Sequence, residues 1–170
     1  MLSQGDFDLC LTGVLRHWRI LDDVNTRKSW REKMNNPDLP KLVAMPANMR
    51  KRFGEGTMLV PSPTEVEALI RQVPKGSIIT VSQLRDSLAR AHSADTTCPM
   101  TTGIFIRLAA EAAEEDARAG RTEITPYWRV VRSDCSLNPK FPGGIKRQAQ
   151  KLRAEGHHIT RGGEPRVALP

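Results

Sequence analysis

Apolar residues recur at helical and strand spacings from Pro61 onward. Val66, Leu69, Ile70 and Val73 fall at i, i+3, i+4 and i+7, which predicts one apolar helix face, and Pro74-Lys75-Gly76 ends it. Ile78-Ile79-Thr80 leads into a second helix over Val81 to Ala91, with Val81, Leu84, Leu88 and Ala91 on one side. A third, rich in Ala and Glu from Met100 to Arg118, follows a turn; Thr97 or Cys98 supplies its cap and Pro99 suits its first turn. After Gly120, Tyr127-Trp128-Arg129-Val130-Val131 is aromatic and β-branched and predicts a strand. Pro139, Pro142, Gly143 and Gly144 make a loop, and Ile145 to Glu155 is a basic helix closed by Gly156. His157 to Arg161 and Pro165 to Leu169 are expected to pair as a hairpin around Gly162-Gly163, in the manner of a wing.

Upstream the pattern is weaker. Residues 1–27 carry no clear period and are assigned no function. Ser29 caps a short helix over Trp30 to Met34, Pro37, Pro40 and Pro46 impose an irregular path, and Met58-Leu59-Val60 is a short strand. The chain therefore divides into an N-terminal extension and wrapping arm, 1–60, and a domain over 61–170. Arg50-Lys51-Arg52 in the arm is either a phosphate contact or a plain solvated cluster.

Composition narrows the partners. The 170 residues are 39% hydrophobic and 26% charged, ordinary for a globular chain, but 26 Lys and Arg against 19 Asp and Glu, with a pI near 9.8, favour a polyanion. Cys10, Cys98 and Cys135 form no CxxC pair, so neither a disulfide framework nor a zinc site is indicated, and a reducing cytoplasm fits. The apolar stretch Leu9 to Leu15 is too short and too interrupted to span a membrane. No metal or organic cofactor is implied.

Two helices joined by a short turn, the second entered through small polar residues, match a helix-turn-helix, whose second helix approaches base edges with its N-terminal end. Glu111, Glu114, Glu115 and Asp116 crowd the far end of the third helix, while Thr101, Thr102 and Arg107 occupy its near part, so the near part is expected to face nucleic acid. Between Arg129 and Arg153 stand seven basic residues and one acidic residue, Asp134. Arg132, Lys140, Lys146, Arg147, Lys151 and Arg153 are thus candidate backbone contacts.

Pro126-Tyr127-Trp128-Arg129-Val130-Val131 resembles the active-site motif of the DNA alkylguanine alkyltransferases, Pro-Cys-His-Arg-Val followed by Val or Ile. The same order of features holds for Val73-Pro74-Lys75-Gly76, Ile79-Thr80, Gly103, Ser133-Asp134, Gly143-Gly144 and Glu155-Gly156, over roughly residues 61 to 158. The resemblance implies a mainly α fold with small β elements, a winged helix-turn-helix-like alkyltransferase C-terminal domain, binding double-stranded DNA as a monomer. It further implies rotation of a damaged guanine into a base pocket of Pro126, Tyr127, Trp128, Arg129 and Glu155, with Met100, Thr101, Thr102, Arg107, Arg132, Lys146 and Arg147 on the DNA.

The departures change the chemistry. Tyr127 replaces the nucleophilic cysteine, and a phenol with a pKa near 10 is a poor alkyl acceptor at neutral pH. Trp128 replaces the activating histidine, and an indole cannot serve as a base. Met100 stands where the family inserts an arginine into the base stack, and Val81 where a tyrosine helps rotate the phosphate. The expectation is a non-catalytic, alkyltransferase-like protein that recognises alkylated guanine or distorted duplexes and passes them to repair proteins. Two alternatives stand beside it: alkyl transfer to a displaced cysteine, Cys98, which sits at a helix N-terminus, and a protein-interaction module on the same fold. Tyr127 and Trp128 either stack on a base or belong to the core, and Met100 is either a wedge between base steps or ordinary packing.

Overall fold

Ser29, Ser62 and Thr80 each accept from the backbone N–H three residues on, while Glu32, Glu65 and Gln83 reach back to the cap N–H, so three helices begin with a complete capping box. These helices are α1 (Trp30–Lys33), α3 (Pro63–Gln72) and α4 (Val81–Ala91) in a computed structural model that describes residues 28–160 and 163–168. Between them lie β1 (Lys41–Ala44), α2 (Ala47–Phe53), β2 (Thr57–Val60) and β3 (Ile79–Thr80). After them come β4 (Thr96–Thr97), α5 (Pro99–Arg118), a 3-10 turn (Tyr127–Arg129), β5 (Val130–Val131) and α6 (Gly144–Ala154). The architecture is mainly α with small β elements. Residues 1–27, expected to be an extension, lie outside the described residues, as do Arg161 and Gly162 of the expected hairpin turn and Leu169 at its end.

α5 is the central element. Its Ala109, Ala110, Ala112 and Ala113 are fully buried, and small side chains there let α3 approach closely through Val66 and Ile70. Leu84 and Leu88 of α4, Ile106 of α5, Tyr127 and Val130 complete this core. Each large aliphatic side chain buried there contributes roughly 1.5–3 kcal/mol. A smaller cluster of Val131, Leu137, Ala149, Leu152 and Val167 seats α6.

The arm is part of the same packing unit. Met34 and Leu59 belong to the main core, β2 pairs antiparallel with β1 and parallel with β4, and Cys98 N–H donates to Leu59 O at 2.8 Å. Arg31 pairs with Glu67 at 2.8 Å and with Asp116, and its backbone N–H donates to Glu115 at 2.9 Å. Residue 61 thus marks no break in packing. Asp116 also takes Arg121 at 3.0 Å, and Glu114 takes Tyr127 and Arg147. The acidic far end of α5, expected to be a phosphate-repelling face, is consumed largely by internal pairing.

Only part of the expected strand at 127–131 forms. Val130 and Val131 pair in parallel with Ile79 and Thr80, whereas Tyr127 to Arg129 coil into a 3-10 turn. The aromatic ring of Tyr127 is drawn into the core while Trp128 and Arg129 are both held by Glu155, and a pleated strand would point these neighbours to opposite faces. The hairpin pairs through Ile159 and Val167, with Thr160 N–H to Arg166 O and Ala168 N–H to His158 O, both at 2.9 Å. Val167 N–H also donates to Cys135 O, where Cys135 occupies the left-handed region at φ 64°.

Candidate nucleic-acid interface

The N-terminal half of α5 presents an apolar ridge to solvent. Met100 is 74% and Ile104 55% exposed, and with Gly103 and Arg107 they recur at i, i+3, i+4 and i+7 on one outward face. Their helix is aimed by its first residues. Arg85 of α4 donates to Thr97 O at 2.9 Å and to the Thr96 hydroxyl at 3.0 Å, while the Thr97 hydroxyl returns to Arg85 O at 2.8 Å. Thr102, expected on DNA, turns inward: it is fully buried and donates to Cys98 O at 2.7 Å. Thr101 is half-buried beside it, donating to the same carbonyl at 3.4 Å.

Against this ridge lies a cleft of about 510 Å³ between Pro99, Met100, Gly103, Ile104 and Arg107 on one wall and Arg132, Asn138, Pro139 and Lys140 on the other. The second wall is fixed from behind. Asn138 N–H donates at 2.7 Å to buried Gln148 of α6, whose amide nitrogen reaches Val130 O at 2.9 Å and Trp128 O at 3.1 Å. Asp134 accepts from the Ser136 N–H and hydroxyl and closes the intervening turn. Arg132 is exposed and pairs with Glu164 at 2.6 Å, and Arg107 lies 3.8 Å from Glu111. The Arg132–Glu164 pair and the Arg107 side chain are open to solvent, where an ion pair contributes little and can be exchanged for a phosphate. Lys146 is exposed on α6, whereas Arg147 is committed to Glu114 at 2.6 Å. Gly143 permits that reach: at φ 73° it takes a left-handed conformation, and a Cβ there would meet the Arg147 Cδ at 2.6 Å.

The expected base-pocket residues Pro126, Tyr127, Trp128, Arg129 and Glu155 do come together, but none lines this cleft. Pro126 is buried, and Tyr127 is 1% exposed, packed edge-on against Trp128 and Phe141 with its hydroxyl donating to Glu114 at 2.7 Å. Burial, and then that hydrogen bond, push the phenol well above its ordinary pKa, so no phenolate forms near neutral pH. Glu155 is the hub of the remainder. It accepts the Trp128 indole N–H at 2.8 Å, Arg129 Nε at 2.9 Å and the Gly76 N–H at 3.3 Å, while Arg129 also donates to Val73 O. Burial acts to raise its carboxyl, but the Arg129, Trp128 and Gly76 hydrogen bonds outweigh it and hold the pKa below 4.5. Lys151 lies 4.2 Å from the Trp128 ring centre. The motif segment packs against α5 and α6 and leads into β5, with its polar groups tied to Glu114, Glu155 and Val73 O.

Cys98 is buried at the start of α5 and lines a second slot of about 320 Å³ with Asn48, Met49, Arg52, Phe53, Pro99 and Met100. Among the described residues no cluster of His, Cys, Asp and Glu has a metal-binding arrangement, and no helix is long and apolar enough to cross a membrane. Ile104, Asn138 and Pro139 were not expected at the site from sequence, where Pro139 was read only as a loop residue. The helical spacing of Ile104 with Met100 was the available signal, but an apolar residue in a helix otherwise reads as core.

No protein-family model matches the chain, and no curated protein matches it. Solved structures do, among them S. pombe Atl1 in complex with damaged DNA containing O6-carboxymethylguanine, at 21% identity over 64% of this chain and 89% of that one, TM-score 0.43, and S. pombe ATL in complex with DNA, at 20% identity over 64% and 87%, TM-score 0.45.

Proposed function

We propose that this protein is a non-catalytic, duplex-DNA-binding protein that recognises alkylated guanine or distorted DNA. One observation carries the reading: an exposed Met100–Ile104 ridge with a glycine between its two side chains, bordered by a cleft with basic residues on both walls. Large exposed apolar side chains cost solubility, and on a surface of this charge they suit a wedge between base steps, with the flanking cations on phosphates. Gly103 supports the same use. A Cβ there would meet nothing within 4 Å, so the fold gains nothing from a residue that weakens a helix, and the flat spot leaves room for close approach from outside. The cleft, at about 510 Å³, is large enough for a displaced base. The absence of alkyl transfer at the motif follows from a buried, hydrogen-bonded Tyr127 beside an indole.

The test is titration of matched duplexes, with and without a guanine alkylated at its exocyclic oxygen, followed by protein mass measurement. Tighter binding of the alkylated duplex with unchanged protein mass supports the proposal. Equal binding removes lesion recognition, and an added alkyl mass removes the non-catalytic reading.

A further inference from the structure

We infer that α2, the short basic helix of the N-terminal arm, is a second grip on the DNA: Lys51 and Arg52 hold the sugar–phosphate backbone on the side of Met100 away from the cleft. This rests on the DNA-binding reading above and extends its footprint to a segment outside the motif-bearing region.

Three observations lead to it. First, the 320 Å³ slot and the 510 Å³ cleft share Pro99 and Met100, so the exposed methionine stands between them, with Arg52 of α2 on one side and Arg107, Arg132 and Lys140 on the other. A duplex seated on Met100 as a wedge places one backbone strand along each flank. Second, the cations of α2 differ in their commitments. Arg50 is used by the fold, with Nε on Met45 O at 3.1 Å and a guanidinium nitrogen 3.5 Å from Glu55. Lys51 and Arg52 are exposed, and no carboxylate lies within ion-pairing distance of either among the described residues. Third, two guanidiniums converge on one ring: Arg52 lies 5.2 Å and Arg85 5.5 Å from the Phe53 centre. Arg85 is immobilised by Thr96 and Thr97, and burial is the main cause that lowers its pKa, against Asp86 and with a smaller push from Arg52. Two guanidiniums gathered on one aromatic ring beside the ridge make a positive patch that attracts a polyanion.

The arm is also placed firmly enough to serve. α2 is bracketed by β1 and β2, β2 pairs with β4 immediately before α5, and Met45, Met58 and Cys98 form a buried cluster with Met49 and Phe53 packed against it. The ridge and α2 therefore move as one body, which phosphate contacts require if they are to fix register.

The experiment measures binding of the full chain to unmodified and alkylated duplexes over a range of salt, comparing the wild type with Lys51→Ala/Arg52→Ala and with Arg118→Ala at the far end of α5. The expected result for the double variant is a log–log salt slope smaller by about 0.9 per contact removed and affinity lower by on the order of tenfold near physiological salt. The ratio between alkylated and unmodified duplex stays unchanged, and Arg118→Ala leaves the slope at the wild-type value. Unchanged salt slope in the double variant, or an equal per-charge loss in Arg118→Ala, overturns this inference while leaving the DNA-binding reading intact. A wild-type chain without salt-dependent DNA binding overturns both.

Discussion

Gly103→Ala is expected to stabilise the protein and weaken its binding to DNA, a combination that separates an interface glycine from a structural one. Gly103 lies inside α5, has no left-handed backbone requirement, and a Cβ built on it meets open space. Alanine in an exposed helix interior is favoured over glycine by about 0.5–1 kcal/mol, chiefly through the lower entropy of the unfolded chain. In a domain of roughly this size 1 kcal/mol shifts Tm by about 2–4 °C, so thermal melts should rise by about 1–4 °C. The same methyl stands between Met100 and Ile104, and holding a closely packed surface away by one carbon costs about 1–3 kcal/mol, or fivefold and upward in Kd. Differential scanning calorimetry and fluorescence-anisotropy titration read the two quantities on one preparation. A lower Tm would show that the fold itself needs the glycine, and a higher Tm with undiminished DNA affinity would show that this face of α5 does not touch the duplex.

Met100→Ala is expected to leave Tm nearly unchanged, because the side chain is 74% exposed, and to reduce discrimination between alkylated and plain duplexes in competition titrations. Tyr127→Phe removes a buried donor from Glu114 and should cost about 1–3 kcal/mol in urea unfolding without altering DNA affinity. Tyr127→Cys places a thiol at a fully buried position closed to a duplex, so incubation with alkylated DNA should add no mass. Glu155→Gln leaves Arg129, itself only 13% exposed, without its ion-pair partner and should destabilise by about 3–5 kcal/mol. Because the Glu155 pKa is lowered on folding, its contribution is fully present above the ordinary value of 4.5 and is lost as pH falls below it, so acid unfolding of Glu155→Gln should be less steep than that of the wild type.

Most helices were legible because their signals are local, whereas α2, which Pro46 caps, lies where an irregular path was expected. Val66, Ile70, Leu84 and Leu88 keep helical spacing and Ser29 marks one start, while Ser62 and Thr80 carry the same capping signal without having been singled out by sequence. The 127–131 segment was legible only in part, since the curl at Tyr127 depends on Glu114 and Glu155, both distant in sequence. The same non-locality hides the acidic end of α5: a run that looks like a repelling face becomes a set of partners for Arg31, Arg121 and Arg147. Within the candidate site, Met100 and Arg107 could be placed by helix position, whereas the opposite wall comes from a loop whose approach is set by Gln148. Thr102 shows the limit of position alone, being one residue from the wall and wholly buried.

The most direct test of the account is the affinity of the unaltered chain for one duplex sequence with and without a single O6-alkylated guanine, measured by direct competition. Tighter binding to the alkylated duplex and an intact protein mass afterwards are expected. Equal affinity for the two duplexes, or an alkyl group recovered on the protein, would contradict it.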